Sequence, residues 1–333
     1  MNYFDRLIQS RFFYMFRGIA IISVAYAHSL SLSDEILQRV GAAIGILGVP
    51  IFLFCSGFYF KRQKWRELLT KLLAGIVSPW LLWGTVAFVI SVALGAASNN
   101  LISFLAFLFG HGTWLYYIPV YLTIRILFNI SDNPYFIAAS IIVSLASNVI
   151  SFIPPPPPSS GLAPIITLWQ NPLNWMEFFA MGILFNRLGL LEKVINGKFR
   201  IKFILVVITV LIAGLLVWVP LKINYWNPLA IVLEFVSIVS IPIITFKFID
   251  SKSLSSLGRN SYLLYLLHMQ LGIALANILF SIVSVPDFII LLTKPLIVLG
   301  ITMCLIFLIK LTVRLLKLDR FNQYIGLYSN GTK

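Results

Sequence analysis

The chain has 333 residues, of which 59% are hydrophobic and only 11% charged, with a mean hydropathy of +0.95. No soluble domain of this size needs so much apolar surface, so composition excludes a soluble fold and implies an all-α polytopic membrane protein. A formal net charge of +14 points to nucleic acid in a soluble protein; in a membrane protein Lys and Arg report topology first, and no nucleic-acid partner is expected.

Apolar runs between polar breaks predict ten transmembrane helices, at about 12–32, 41–60, 72–96, 113–130, 135–153, 174–188, 203–219, 229–248, 261–283 and 287–309. The run at 101–109 is too short to span and is expected to lie at the interface or to re-enter. The first run is too long for the core of a cleavable signal peptide and ends without a small-residue cleavage site. A single transmembrane domain, 1–333, with no appended extracytoplasmic domain is expected.

The first run, FFYMFRGIAIISVAYAHSLSL, carries two residues foreign to lipid, Arg17 and His28. Ionisable groups inside a membrane helix cost about 2.5–3.5 kcal/mol each on insertion scales and so face a polar interior. The two are eleven positions apart (28 − 17), about three helical turns plus 20°, so both point the same way, about 16 Å apart along the axis. Arg17 alone also fits a cation snorkelling to the interface, and His28 alone an interhelical hydrogen bonder. Together on one face they point to function.

Charge fixes the orientation. Arg6 and Arg11 share one side with Lys61, Arg62, Lys64, Arg66 and Lys71, and with Arg187, Lys193, Lys198, Arg200 and Lys202. Lys247, Lys252 and Arg259 follow, then Lys310, Arg314, Lys317, Arg320 and Lys333, whereas the other side holds only Arg39, Lys222 and Lys294. By the positive-inside rule both termini are cytoplasmic. The basic loop Lys61–Lys71 fits either a topology determinant attracted to anionic lipid or a binding site for an anion. The loop from Ile153 to Pro172 holds five consecutive prolines, a stiff polyproline rod that fits an outer entrance or a plain spacer. Cys55 and Cys304 fall inside predicted helices, so neither a disulfide nor a metal site is expected.

Several further residues carry chemistry. Ser261, Tyr265 and His268 share one helical stripe, which fits donor binding or a packing network. Glu177 and Glu234 are the acids well inside predicted spans; either fits orienting an imidazole or binding a sugar hydroxyl, and equally an interfacial carboxylate. Trp114, Tyr116 and Tyr117 begin a helix at the outer face, where an aromatic belt or a sugar-stacking platform fits.

Four segments resemble one family. RGIAIISVAYAH, Arg17 to His28, is similar to the Arg–ten residues–His signature that opens the acyltransferase-3 family of integral membrane acyltransferases. GVPIFLFCSGFYFKR (Gly48 to Arg62) resembles its second helix and basic loop, GTWLYYIPVYL (Gly112 to Leu122) its Trp-Leu segment, and LGRNSYLLYLLH (Leu257 to His268) its late Ser-Tyr…Tyr…His segment. The chain departs from the family at the third helix, where relatives carry an Arg-rich run and this sequence offers only Lys71. Within the family it most resembles bacterial or prophage O-antigen O-acetyltransferases. The resemblance implies acetyl-CoA as the donor substrate, no metal, and a lipid-linked O-antigen or other polysaccharide hydroxyl as acceptor, in the bacterial inner membrane. It implies Arg17 and His28 as catalytic residues, with Arg17, Lys61, Arg62, Arg66 and Lys71 meeting the donor's phosphates. A transporter or flippase for a lipid-linked or sugar substrate is the alternative, since it would use similar membrane polar residues.

Overall fold

The computed structural model describes residues 3–152, 168–248, 251–282 and 285–327, with the side chains of 3–11, 168 and 244–248 outside that description. The five-proline run lies outside the described residues. Among those described there is helix and loop and no strand.

Helix α1 (Tyr3–Ser29) is followed by α2 (Glu35–Gly45) and α3 (Gly48–Phe58), which split the second predicted span. Then come α4 (Trp65–Leu72), a π-helical turn (Leu73–Val77), α5 (Ser78–Ala93), the short α6 (Leu101–Leu108), α7 (Tyr117–Ile130) and α8 (Pro134–Phe152). The second half holds α9 (Met176–Arg187), α10 (Leu190–Asn196), α11 (Phe199–Trp218), α12 (Pro228–Phe248), α13 (Lys252–Arg259) and α14 (Ser261–Leu267). A second π turn (His268–Ile273) leads into α15 (Ala274–Ile282), and α16 (Asp287–Leu315) and α17 (Asn322–Ile325) close the described chain.

All ten predicted runs are helical. Six helical segments are long and apolar enough to cross a membrane: Glu35–Phe58, Trp65–Ala93, Pro134–Phe152, Phe199–Trp218, Ser261–Ile282 and Asp287–Leu315; Trp114–Ile130 and Pro228–Ile243 are shorter apolar helices. Of the remaining two, α1 has 27 residues and α9 only 12. The chain is therefore a multi-pass helical membrane protein. α11 is apolar yet almost wholly exposed, as a helix facing lipid rather than water is.

Helix α1 stands between two apolar cores. Phe12, Phe13, Phe16 and Ala20 join one, with α3, α7, α9 and α12; Ile21, Val24 and Ala25 join the other, with α5, α14 and α16. Lipid tails are as apolar as Leu, so helices here associate by close packing of small residues rather than by expulsion of water. A Cβ on Gly258 would overlap the Tyr14 carbonyl oxygen, and one on Gly18 the Leu254 carbonyl oxygen, so α1 and α13 meet backbone to backbone. Gly57 and Gly182 perform the same service reciprocally between α3 and α9, against the Phe179 and Phe54 carbonyls. Ser23 Oγ donates to the Gly45 carbonyl at 3.1 Å, where α2 gives way to α3. Arg39 donates to the carbonyls of Leu216, Val217 and Val219, satisfying the orphan acceptors at the C-terminal end of α11.

The α1–α13 contact yields a stability prediction. Gly258→Ala forces the two backbones apart and lowers the thermal midpoint of the detergent-purified protein, by the ~1–3 kcal/mol typical of overpacking. Gly214→Ala, where nothing lies within 4 Å, leaves the midpoint unchanged or raises it.

Candidate functional site

The break between α13 and α14 is the local event that creates the site. Asn260 ends α13 with its side-chain Nδ2 donating to the Ser256 carbonyl at 2.8 Å, and its own carbonyl accepts from Leu264 N at 2.9 Å to start α14. With Gly258 pressed on α1, this break faces Tyr14 and Arg17. A cavity of about 970 Å³ opens there. Its walls come from α1, α3, the first π turn, α7, the α13–α14 break and α16.

Three cations line it: Arg17, Arg259 and Lys310. No acid is among the lining residues. Lys310 Nζ donates to Asn260 Oδ1 at 2.7 Å and feels the charges of Arg259 and Arg314. Arg17 is half-buried among Cys55, Tyr59, Tyr117 and Tyr121. None of the three cations forms an ion pair among the described residues. Like charges gathered in a low-dielectric pocket without a counterion repel one another, and an anionic ligand relieves that repulsion.

At one wall of the cavity sits Tyr265. Its hydroxyl donates to the Trp114 carbonyl, and its ring centre lies 5.5 Å from that of Tyr117 and 6.0 Å from that of His268. Beyond it the two membrane histidines meet: the His28 and His268 ring centres are 5.5 Å apart, with planes tilted by 47°. The Trp114 indole stands edge-on to His268 at 6.3 Å. His268 is fully buried and His28 half-buried. His268 Nδ1 lies 2.8 Å from the Tyr265 carbonyl, while His268 Nε2 and Trp114 Nε1 are buried without partners. So a chamber lined by three cations lies on one side of Tyr265, and a pair of imidazoles on the other.

The structure thus brings together Arg17, His28, Trp114, Ser261, Tyr265 and His268. It leaves Lys61, Arg62, Arg66 and Lys71 outside the cavity lining, exposed in or after the loop that follows α3. That loop is clamped to α7 instead. Arg62 Nε donates to the Asn129 carbonyl at 3.0 Å, Asn129 pairs with the Gln63 backbone at 2.9 and 3.1 Å, and Arg125 Nη2 donates to the Lys61 carbonyl at 3.1 Å. Arg125 also lies over the Phe60 ring, 4.4 Å from its centre. Glu177 and Glu234 are buried away from the histidines. Glu177 accepts from Asn148 Nδ2 at 2.8 Å and from Ser144 Oγ, and Glu234 feels the charge of Glu177. Beside them Tyr116, Trp169, Trp175, Tyr225 and Trp226 form a packed aromatic cluster. Sequence reasoning gave Arg259 and Lys310 only as topology markers and passed over Tyr14 and Arg125. The one available signal was that Arg259 sits within the same segment as Ser261, Tyr265 and His268. No metal-ligating cluster occurs among the described residues.

Comparison with known proteins gives one match. A family model described as an acyltransferase domain covers residues 11–314, nearly the whole chain. No curated protein and no solved structure matches significantly.

The unpaired cations carry their own test. Because no ion pair is lost, Arg17→Met leaves the thermal midpoint of the purified protein unchanged or raises it, as functional residues that strain a fold do on removal. A fall equivalent to more than about 2 kcal/mol, the range of a broken structural contact, marks Arg17 as a structural residue.

Proposed function

Since the chain belongs to this acyltransferase family, we propose that it transfers an acetyl group from cytoplasmic acetyl-CoA to a sugar hydroxyl of O-antigen or a similar surface polysaccharide. The observation that carries this reading is the acid-free cavity lined by Arg17, Arg259 and Lys310, with Tyr265 between it and the His28–His268 pair. Coenzyme A is a polyanion on a long neutral arm. Its phosphates suit the three cations, the arginines through bidentate contacts. Arg17 and His28 are about 16 Å apart along one helix face, a separation that an extended pantetheine arm bridges.

His28 acts as general base. It takes the proton of the attacking hydroxyl as the new C–O bond forms at the thioester carbonyl. The C–S bond then breaks, and the imidazolium returns its proton to the departing thiolate. Atoms and charge balance without a covalent enzyme intermediate, so transfer is direct and both substrates are bound at once. The supporting topology has ten spans, both termini in the cytoplasm, and the cationic cavity on the cytoplasmic side of a bacterial inner membrane. That side is where Arg259 and Lys310 fall by the charge separation of the loops.

Protein reconstituted in nanodiscs with radiolabelled acetyl-CoA and deacetylated O-polysaccharide tests the reading. The wild type deposits ester-linked label on the glycan. His28→Ala loses at least the ~10²–10⁴-fold typical of a general base at unchanged abundance. Glycan movement without label indicates transport instead, and stoichiometric label on the protein in the absence of acceptor excludes direct transfer. The orientation is read by cysteine accessibility: Gln63→Cys and Lys198→Cys react only from the cytoplasmic side, Asn99→Cys and Asn224→Cys only from outside.

A further inference from the structure

His268 has one nitrogen committed and one waiting. Its Nδ1 lies 2.8 Å from the Tyr265 carbonyl oxygen, which only accepts, so Nδ1 carries the ring proton. In the neutral imidazole Nε2 is then a lone-pair acceptor. That acceptor is buried and has no partner, although the ring is fully enclosed. Buried polar atoms are almost always satisfied, so an orphan acceptor in a packed interior marks a donor supplied in the working state.

The rings around it narrow the identity of that donor. The Tyr265 hydroxyl is already spent on the Trp114 carbonyl. The Trp114 indole presents itself edge-on at 6.3 Å without bonding. His28 faces His268 with ring centres 5.5 Å apart, within reach of a hydrogen bond closed by a small rotation of the His28 ring or by one intervening water. His28 itself makes no hydrogen bond to any described residue, and sits in the last turn of α1. Among the described residues its ring has no other protein group to fix its tautomer.

We propose that His268 is the positioning residue for His28: its Nε2 accepts the His28 N–H, fixing the tautomer and leaving the second His28 nitrogen free as the base. In many catalytic histidines a carboxylate holds the far nitrogen; here Glu177 is bonded to Ser144 and Asn148, neither Glu177 nor Glu234 is among the groups that act on His28 or His268, and an imidazole takes that place. The Tyr265 carbonyl orients His268 in turn, and the Tyr265 ring borders the cavity. One residue thereby links donor chamber and base. This inference rests on His28 being the general base, and the experiment separates the two.

The test uses the full chain in nanodiscs with acetyl-CoA and deacetylated O-polysaccharide. A Gln amide reproduces the Nε2 end of the ring and an Asn amide the Nδ1 end. His268→Gln is expected to keep kcat within about tenfold of wild type, and His268→Asn to lose 10–100-fold or more, the range for partners that orient a catalytic or ligating histidine. Both keep the donor KM within about twofold. Full kcat in the Asn variant overturns the proposal, and so does an equal fall in both variants with a lowered thermal midpoint. A rise in donor KM alone overturns it too, by moving His268 to the donor site. Retained activity in His28→Ala removes the base reading itself, whatever the His268 variants do. Should neither His268 variant fold, histidine-labelled wild type gives the answer. Its nitrogen spectrum is expected to show the buried ring protonated at Nδ1 and hydrogen-bonded at Nε2, and the opposite tautomer overturns the proposal.

Discussion

Two backbones in direct contact set the rest of the structure. Gly18 on α1 and Gly258 on α13 put no side chain of their own between the helices, and a methyl group at either position would collide with a carbonyl oxygen opposite. Close approach of this kind drives association where no hydrophobic effect operates between helices. It also determines what α1 faces. Gly258 is followed at once by Arg259, Asn260 and Ser261, so docking the glycine brings the broken, polar end of α13 against Tyr14 and Arg17. The cavity is a consequence of that dock and of the helix break beside it.

A membrane interior makes the charge arrangement in this cavity expensive unless something compensates it. Arg17, Arg259 and Lys310 line one chamber, Arg314 lies near Lys310, and no acid lines the walls. The fold supplies hydrogen bonds, such as Lys310 to Asn260, but no neutralising charge among the described residues. Two cations elsewhere are held by the fold: Arg187 pairs with Asp132, and Arg39 takes three carbonyls at the end of α11. The contrast within one molecule separates cations that hold the fold from cations the proposed function assigns to a ligand.

Much of this was legible in the sequence, for definite reasons. Apolar runs are unambiguous in so hydrophobic a chain, and each predicted run is helical. The 3.6-residue repeat placed Arg17 and His28 on one face, and Ser261, Tyr265 and His268 on one stripe, before any packing was known. Three things were hidden. The second run is two helices because Ile46 and Leu47 interrupt it, a break marked only by the flanking Gly45 and Gly48 and by Pro50 in the first turn of α3 and hidden by the apolar run around it. The π turns at Leu73–Val77 and His268–Ile273 shift hydrogen bonds by one residue and leave no compositional trace. Site cations and topology cations are the same residue types on the same side of the membrane. Density of charge therefore pointed to Lys61–Lys71, whereas helix packing puts Arg259 and Lys310 in the cavity wall with Arg17.

The aromatic layer around Tyr265 gives the arrangement its logic for a substrate that is charged at one end and neutral at the other. Tyr265, Tyr117 and Trp114 stand between the cationic chamber and the histidine pair, tied by ring contact and by the Tyr265 hydroxyl on the Trp114 carbonyl. Moving a charged group deeper into the bilayer costs several kcal/mol, whereas a neutral chain moves at little cost. On the proposed reading, a donor whose phosphates stay with Arg17, Arg259 and Lys310 needs to pass only its uncharged arm beyond Tyr265. Moving the whole donor past His28 would mean carrying its phosphates away from these cations. In the proposed reaction, the polarity of the donor, the cations on one side and the paired imidazoles on the other divide the task so that only an acyl group crosses.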